Sequence, residues 1–263
     1  MRFMNIASGS GGNATYIGSN DTHILIDAGI SRKRIQEGLN KLDLSINDIT
    51  AILISHEHTD HVSSLCTVER SCRVPVYATE GTFSALKDLR LKIESDDLLN
   101  IIQPEEEFMI GDIKITAVRT SHDAKEPVCF RLETSDSSCA VITDLGVYDE
   151  KLINNMLGLN LVLIESNHDR RMLEAGPYPY PLKLRIAGDK GHLSNESSGR
   201  LLSGLLNDRM KHIILGHLSE KNNSKDLAKL TVINEINEHS GFNAGDFRID
   251  IADQKNGSEI YSF

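Results

Sequence analysis

At 263 residues the chain suits one large domain with a substantial buried core. Charged residues make up 25% and the hydrophobic set 40%, an ordinary globular balance, and no apolar run reaches the roughly 18 residues that a membrane span needs. The formal net charge of -10 argues against a general, tight nucleic-acid binder, which is usually basic.

Met1-Arg2-Phe3-Met4-Asn5-Ile6 runs at once into Ser8-Gly9-Ser10-Gly11-Gly12. It has no long apolar stretch, so a signal peptide is not expected. Ala14–Ile17 and His23–Ile26 read as strands around the turn Gly18-Ser19-Asn20-Asp21. Ile35, Leu39 and Leu42 give helical spacing over 32–42. Ala51-Ile52-Leu53-Ile54 reads as a buried strand. Helical character follows over 62–70, then a strand over 74–77 and a helix over 81–89. Phe108–Ile110 and Ile113–Val118 read as a hairpin around Gly111-Asp112, and 129–133 and 138–143 as two more strands. Leu161–Glu165 and His212–Leu215 are strands, and 194–206 and 227–239 helices. Gly176-Pro177-Tyr178-Pro179-Tyr180-Pro181 reads as a surface loop. Residues 247–251 and 259–262 read as two closing strands. No linker or fixed-period repeat interrupts the series, which points to a single α/β domain over 1–263. Cys66, Cys72, Cys129 and Cys139 form no C-x-x-C pair and read as reduced thiols of a cytoplasmic protein.

Chemistry concentrates in His56-Glu57-His58-Thr59-Asp60-His61, directly after an apolar strand. Imidazole and carboxylate together suit zinc or manganese. In extended chain His56 and His58 point to the same side. Asp60 and His61 fall where the chain should turn into a helix, which can aim them at a second cation. Six residues cannot complete two such sites. Three later residues end apolar strands: His122, Asp144 and His217. Each alone is an ordinary turn residue. Beside an H-x-H-x-D-H they become candidates to close the cage. Asp27 ends the 24–26 strand and could orient a ligand His or simply make a turn. Ser10 and Asn13 sit in a loop rich in backbone donors, able to touch an anionic group.

In order and approximate spacing, His56, His58, Asp60, His61, His122, Asp144 and His217 resemble the metal ligands of the metallo-β-lactamase-fold hydrolases. The likeness runs from Ser8–Ala14 and Asp27 to the final strands. More narrowly the chain is similar to the YycJ/WalJ-like branch of bacterial cytoplasmic proteins, on Glu165-Ser166-Asn167-His168-Asp169, Leu182–Ile186, Gly191-His192-Leu193-Ser194-Asn195 and Leu215-Gly216-His217-Leu218-Ser219. The resemblance implies an αββα sandwich, two mixed sheets flanked by helices. It implies one divalent ion on His56, His58 and His122, and another on Asp60, His61 and His217, with Asp144 bridging. Redox members of the fold usually carry a carboxylate at the second His of the motif. His58 there implies hydrolysis instead, with zinc first and manganese an alternative.

A hydroxide bridging the two ions would be the nucleophile, and Asp60 would orient it. Gly191-His192-Leu193-Ser194 matches the proton-donor motif of related RNA-processing phosphodiesterases. His192 would therefore protonate the leaving oxygen, with Glu165 polarising it. His168 and Arg185 are candidates for substrate contact. Arg170, Arg171, Lys183 and Lys190 add positive charge around His192. The branch resemblance implies a phosphodiesterase or nuclease acting on DNA. The alternative is a hydrolase of a cyclic phosphodiester, lactone or thioester, which the acidic balance and small size favour. A non-catalytic, metal-stabilised regulatory protein is a third reading. No long inserted clamp separates Asp144 from His217, so any grip on DNA must be short-range or come from a homo-oligomer or a partner protein.

Overall fold

The structure, a computed structural model, describes residues 1–91, 93 and 96–263. In chain order the elements are β1 (Arg2–Ala7), β2 (Ala14–Gly18), β3 (His23–Ile26), α1 (Arg32–Asn40), β4 (Ala51–Leu53), α2 (Thr59–Val62), α3 (Leu65–Cys72), β5 (Val76–Ala78), α4 (Glu80–Asp88), β6 (Leu99–Ile101), β7 (Glu107–Ile110), β8 (Ile113–Arg119) and β9 (Val128–Glu133). They continue with β10 (Ser138–Ile142), α5 (Glu150–Asn155), β11 (Leu161–Glu165), α6 (Arg170–Ala175), α7 (Tyr180–Ala187), α8 (Asn195–Leu205), β12 (His212–Gly216), α9 (Lys225–His239), β13 (Arg248–Ile251) and β14 (Tyr261–Ser262). The chain groups into two compact units. The first holds Met1–Arg119, Ala124–Asp136 and Asp253–Phe263, the second Thr120–Asp123 and Ser137–Ala252.

In the first unit a sheet runs in the order β14-β1-β2-β3-β4-β5-β6. β14, β1, β2 and β3 pair antiparallel, and β3 to β6 pair parallel. Parallel strands are usually covered on both faces, and β3 and β4 read accordingly: Ile24, Leu25, Ile26, Ala51, Ile52 and Leu53 are all buried. Helix α1 presents Ile35 and Leu39, four residues apart, to the core that holds Met4, Tyr16, Leu25 and Ile52. Ser31 caps it, its hydroxyl accepting from Arg34 N at 3.4 Å. The same unit carries the antiparallel meander β7-β8-β9.

The second unit is built on four parallel strands, β10-β11-β12-β13. Helix α8 buries Leu201, Leu202 and Leu205 and is capped by Ser194, whose hydroxyl accepts from Ser197 N at 3.2 Å. The two closing strands part company. β13 pairs parallel with β12, whereas β14 pairs antiparallel with β1 in the first unit.

The segment 176–181, expected as a loop throughout, ends inside a helix. Tyr180 and Pro181 form the first turn of α7. Proline is tolerated there because its missing N–H would have had no helical partner. Helices α5 and α6 were also not foreseen; Asp149 and Asp169 cap them by accepting from Leu152 N and Met172 N. Among the described residues no helix is long and apolar enough to cross a membrane.

Candidate metal centre

Every candidate ligand that follows a parallel strand lies at its carboxyl end, where loops of open α/β sheets collect function. In the first unit β3 delivers Asp27 and β4 leads through Ile54 and Ser55 to His56. His58 is still extended and holds the N-cap position of α2 without a capping hydrogen bond, so Asp60 and His61 fall in its first turn, the change of direction expected from the sequence. The imidazoles crowd together: the His56 ring centroid lies 4.6 Å from that of His58 and 4.1 Å from that of His61. His56 and His61 are buried.

Below them Asp27 Oδ2 stands 2.7 Å from His61 Nδ1. It also accepts from the Ser55 hydroxyl at 2.9 Å, and that hydroxyl lies 3.0 Å from His56 Nδ1. A carboxylate and a hydroxyl thus fix two rings through their Nδ1 atoms, the arrangement that orients imidazole toward a cation. Asp27 follows β3 and touches His61, the contact that the orienting option needs. Ser55 was not foreseen; its only signal is adjacency to His56. Gly29 makes the close packing possible, since a Cβ there would lie 1.6 Å from the Asp60 carbonyl oxygen.

The loop after β1 is more committed than expected. Asn13 is buried, and its amide nitrogen contacts Gly9 O at 3.2 Å, Asp60 Oδ2 at 3.3 Å and His61 Nε2 at 3.0 Å. Ser10 is exposed.

In the second unit register does the assembly. β10, β11 and β12 are parallel neighbours, Ile142 opposite Ile164 and Glu165 opposite Gly216. Asp144, Glu165 and His217 therefore emerge side by side. Together with His192 they offer ligand atoms within 4.8 Å of one another. His217 Nδ1 lies 3.2 Å from Asp144 Oδ2, and His192 Nδ1 lies 2.7 Å from Glu165 Oε1. Glu165 Oε2 accepts from the Leu145 and Leu193 backbone N–H groups at 3.2 and 3.1 Å. Its carboxylate is thereby held while completely buried. His122 Nδ1 lies 3.0 Å from Gly191 O, which fixes that ring as well.

Asp27, Asp144 and His217 share a backbone peculiarity: φ is 61°, 60° and 54°, in the left-handed region. Non-glycine residues rarely sit there; Asp43, Arg73, Arg90 and Glu105 do so too, Arg73 as the C-cap of α3, while these three do so where β3, β10 and β12 hand over to the site.

Burial disfavours a charged His192, but the Glu165 carboxylate and its hydrogen bond, with Asp144 beside them, outweigh that and raise its pKa. His168 goes the other way. Burial is the main cause that pushes it down to about 4, so the ring is neutral at neutral pH. The unfolded chain protonates near 6.5, so this histidine supports folding above that pH. The support fades as pH falls toward 4. Between pH 7 and pH 5 the wild-type protein should lose about 2 kcal/mol more unfolding free energy than His168→Gln, as urea melts at the two pH values would show. Equal losses would mean that His168 takes up protons normally in the folded state.

Arg185 turns to Asp123, Nη2 to Oδ1 at 3.0 Å. A cavity of about 450 Å³ opens beside His192, with Arg170, Lys183 and His168 among its lining residues.

Comparison with known proteins fits this geometry. A β-lactamase superfamily domain profile matches residues 22–218. The chain is 37% identical over 261 residues to the exodeoxyribonuclease YycJ of Bacillus anthracis, covering 99% of this chain and 98% of that one. It is 36% identical to the exodeoxyribonuclease WalJ of Streptococcus pneumoniae, over 88% and 86% of the two chains. Among solved structures, the metallo-β-lactamase fold protein YhfI of Bacillus subtilis superposes with a TM-score of 0.73 at 15% identity, over 99% of this chain and 98% of that one. The chain therefore belongs to the β-lactamase superfamily and has the metallo-β-lactamase fold that its histidine motif led us to expect.

Proposed function

We propose that the protein is a metal-dependent exodeoxyribonuclease that hydrolyses phosphodiester bonds of DNA. Likeness to two exodeoxyribonucleases, over nearly the full length of one, carries this reading. The donor set supports it. Imidazoles held through Nδ1 and buried carboxylates suit divalent zinc, and manganese equally fits such a nitrogen and oxygen set. His56, His58 and His122 would hold one ion, and Asp60, His61 and His217 the other, with Asp144 shared. When bound, such ions supply positive charge that polarises a phosphoryl oxygen and makes water acidic enough to attack near neutral pH.

The remaining work falls to the chain's own residues. Asp60 orients the attacking water. Asn13, whose amide nitrogen lies 3.3 Å from Asp60 Oδ2, helps hold that carboxylate in place, and Asp27 holds His61 through Nδ1. His192 gives its proton to the departing sugar oxygen. Glu165 keeps His192 protonated and aimed. The reading carries a cytoplasmic location, in keeping with four cysteines that form no disulfide.

The test is direct. Protein loaded with zinc or manganese is offered linear duplex DNA, single-stranded DNA, a cyclic dinucleotide and a lactone. DNA should be shortened from its ends, more weakly as salt rises, because backbone contacts release counterions. Hydrolysis of the lactone alone would replace the nuclease with the small-molecule hydrolase.

A further inference from the structure

The cavity beside His192 lies wholly in the second unit, between α6, α7 and the turn that enters α8. Neither α6 nor α7 was foreseen in the sequence. Its wall combines apolar, basic and neutral polar groups, and one carboxylate, Glu174, also lines it. Leu173, Tyr180 and Leu184 supply apolar and aromatic surface, and Tyr180 and Leu184 are 71% and 56% exposed. Arg170 and Lys183 supply positive charge in fixed positions. Arg170 Nε donates to the Ser194 hydroxyl at 3.2 Å and Nη2 to the Ser197 hydroxyl at 3.3 Å, while Lys183 Nζ donates to Glu174 O at 2.6 Å. Arg170 also lies 3.6 Å from the Glu196 carboxylate. His168 supplies a neutral polar edge. It is 2% exposed, and its Nδ1 has no hydrogen-bond partner among the described residues.

An orphaned buried polar atom is costly, and it marks a place where an occupant would be welcome. The volume falls in the range of small-ligand sites. Exposed aromatic and aliphatic faces beside fixed cations make a stacking platform for a base next to a grip for its phosphate. A lipid chain would gain nothing from the two cations, and a bare anion nothing from Tyr180 and Leu184. His192, the proton donor proposed above, sits in the same wall, so an occupant here adjoins the bond to be cut.

We propose that this cavity seats the terminal nucleotide of a DNA strand as a single unpaired unit, its base against Tyr180 and Leu184, its phosphate toward Arg170 and Lys183, and a polar edge on His168. The assignment rests on the nuclease reading of the preceding section. It adds a substrate requirement: the end must open before it is cut, since a base must leave its stack to enter a pocket. Frayed, mismatched or single-stranded ends are then better substrates than blunt G·C ends.

The experiment uses the full-length, metal-loaded protein and two ligands, dAMP and inorganic phosphate, with affinity read by calorimetry. dAMP should bind more tightly than phosphate. Leu184→Ser, a neutral change at a position 56% exposed, should weaken dAMP at least about fivefold and leave phosphate unchanged. The same variant should raise KM for single-stranded ends. If dAMP and phosphate bind alike, or Leu184→Ser shifts neither dAMP affinity nor KM while DNA is still digested, the cavity assignment fails and the nuclease reading stands. If dAMP binds as expected yet no DNA is cut under any metal, the nucleotide site stands and the nuclease reading fails.

Discussion

Asp144→Asn is expected to lose bound metal and at least about 10³-fold of its DNA hydrolysis, and exhaustive chelation of the wild-type protein to abolish that hydrolysis until zinc or manganese is restored. Asp144 is the residue on which the proposed site turns. It is buried at the end of β10, 3.2 Å from His217 Nδ1 and 3.7 Å from His192 Nδ1. The proposal makes it the carboxylate common to both ions, so its loss removes charge from both at once. The choice of asparagine matters. Asp144 holds φ at 60°, where alanine would add roughly 1–2 kcal/mol of backbone strain. Asparagine tolerates that conformation and keeps the volume, so a folded variant isolates the charge. Metal content by plasma emission and DNA hydrolysis are read on the same preparation. A folded Asp144→Asn that keeps two equivalents of metal and full activity would refute the assignment of this carboxylate as a ligand.

How far the sequence could reach is clear from where each residue sits. His56, His58, Asp60 and His61 were legible as candidate ligands because four donors in six residues after an apolar strand suit a cation. Asp144, Glu165 and His217 were legible as strand ends because parallel strands buried on both faces show as unbroken apolar runs. Their adjacency is a matter of register, which pairs Glu165 with Gly216 and which no local pattern encodes. Ser55 escaped notice because a serine beside a histidine is unremarkable until its hydroxyl is seen between Asp27 and two rings. The cavity escaped for a different reason. Helix α6 has six residues and α7 eight, too few for a periodic apolar stripe to stand out, and the prolines before α7 read as loop. Arg185 was one of five cations read around His192, with Arg170, Arg171, Lys183 and Lys190. Its ion pair with Asp123 leaves Arg170 and Lys183 to line the cavity.

The second large effect concerns the proton. His192→Ala is expected to slow DNA hydrolysis by about 10²- to 10⁴-fold with metal content unchanged, the usual cost of losing a positioned acid. A p-nitrophenyl phosphodiester, whose leaving group departs without a proton, should lose far less. The pH profile supplies an independent sign. A general acid works only while protonated, so the wild-type rate should fall as pH rises through the His192 pKa. That pKa is raised: burial lowers it, but the charge of Glu165 and the hydrogen bond at 2.7 Å more than offset the burial. Glu165→Gln removes the larger part of the offset and leaves the burial, with Asp144 still beside the ring. The alkaline limb should therefore move to lower pH. Glutamine still has one oxygen to accept from Leu145 N and Leu193 N, so the surrounding turn keeps its anchors. In His192→Ala the limb should vanish altogether. Equal losses on the good and the poor leaving group would instead make His192 a residue that shapes the site, and an unshifted limb in Glu165→Gln would break the link between the carboxylate and the proton.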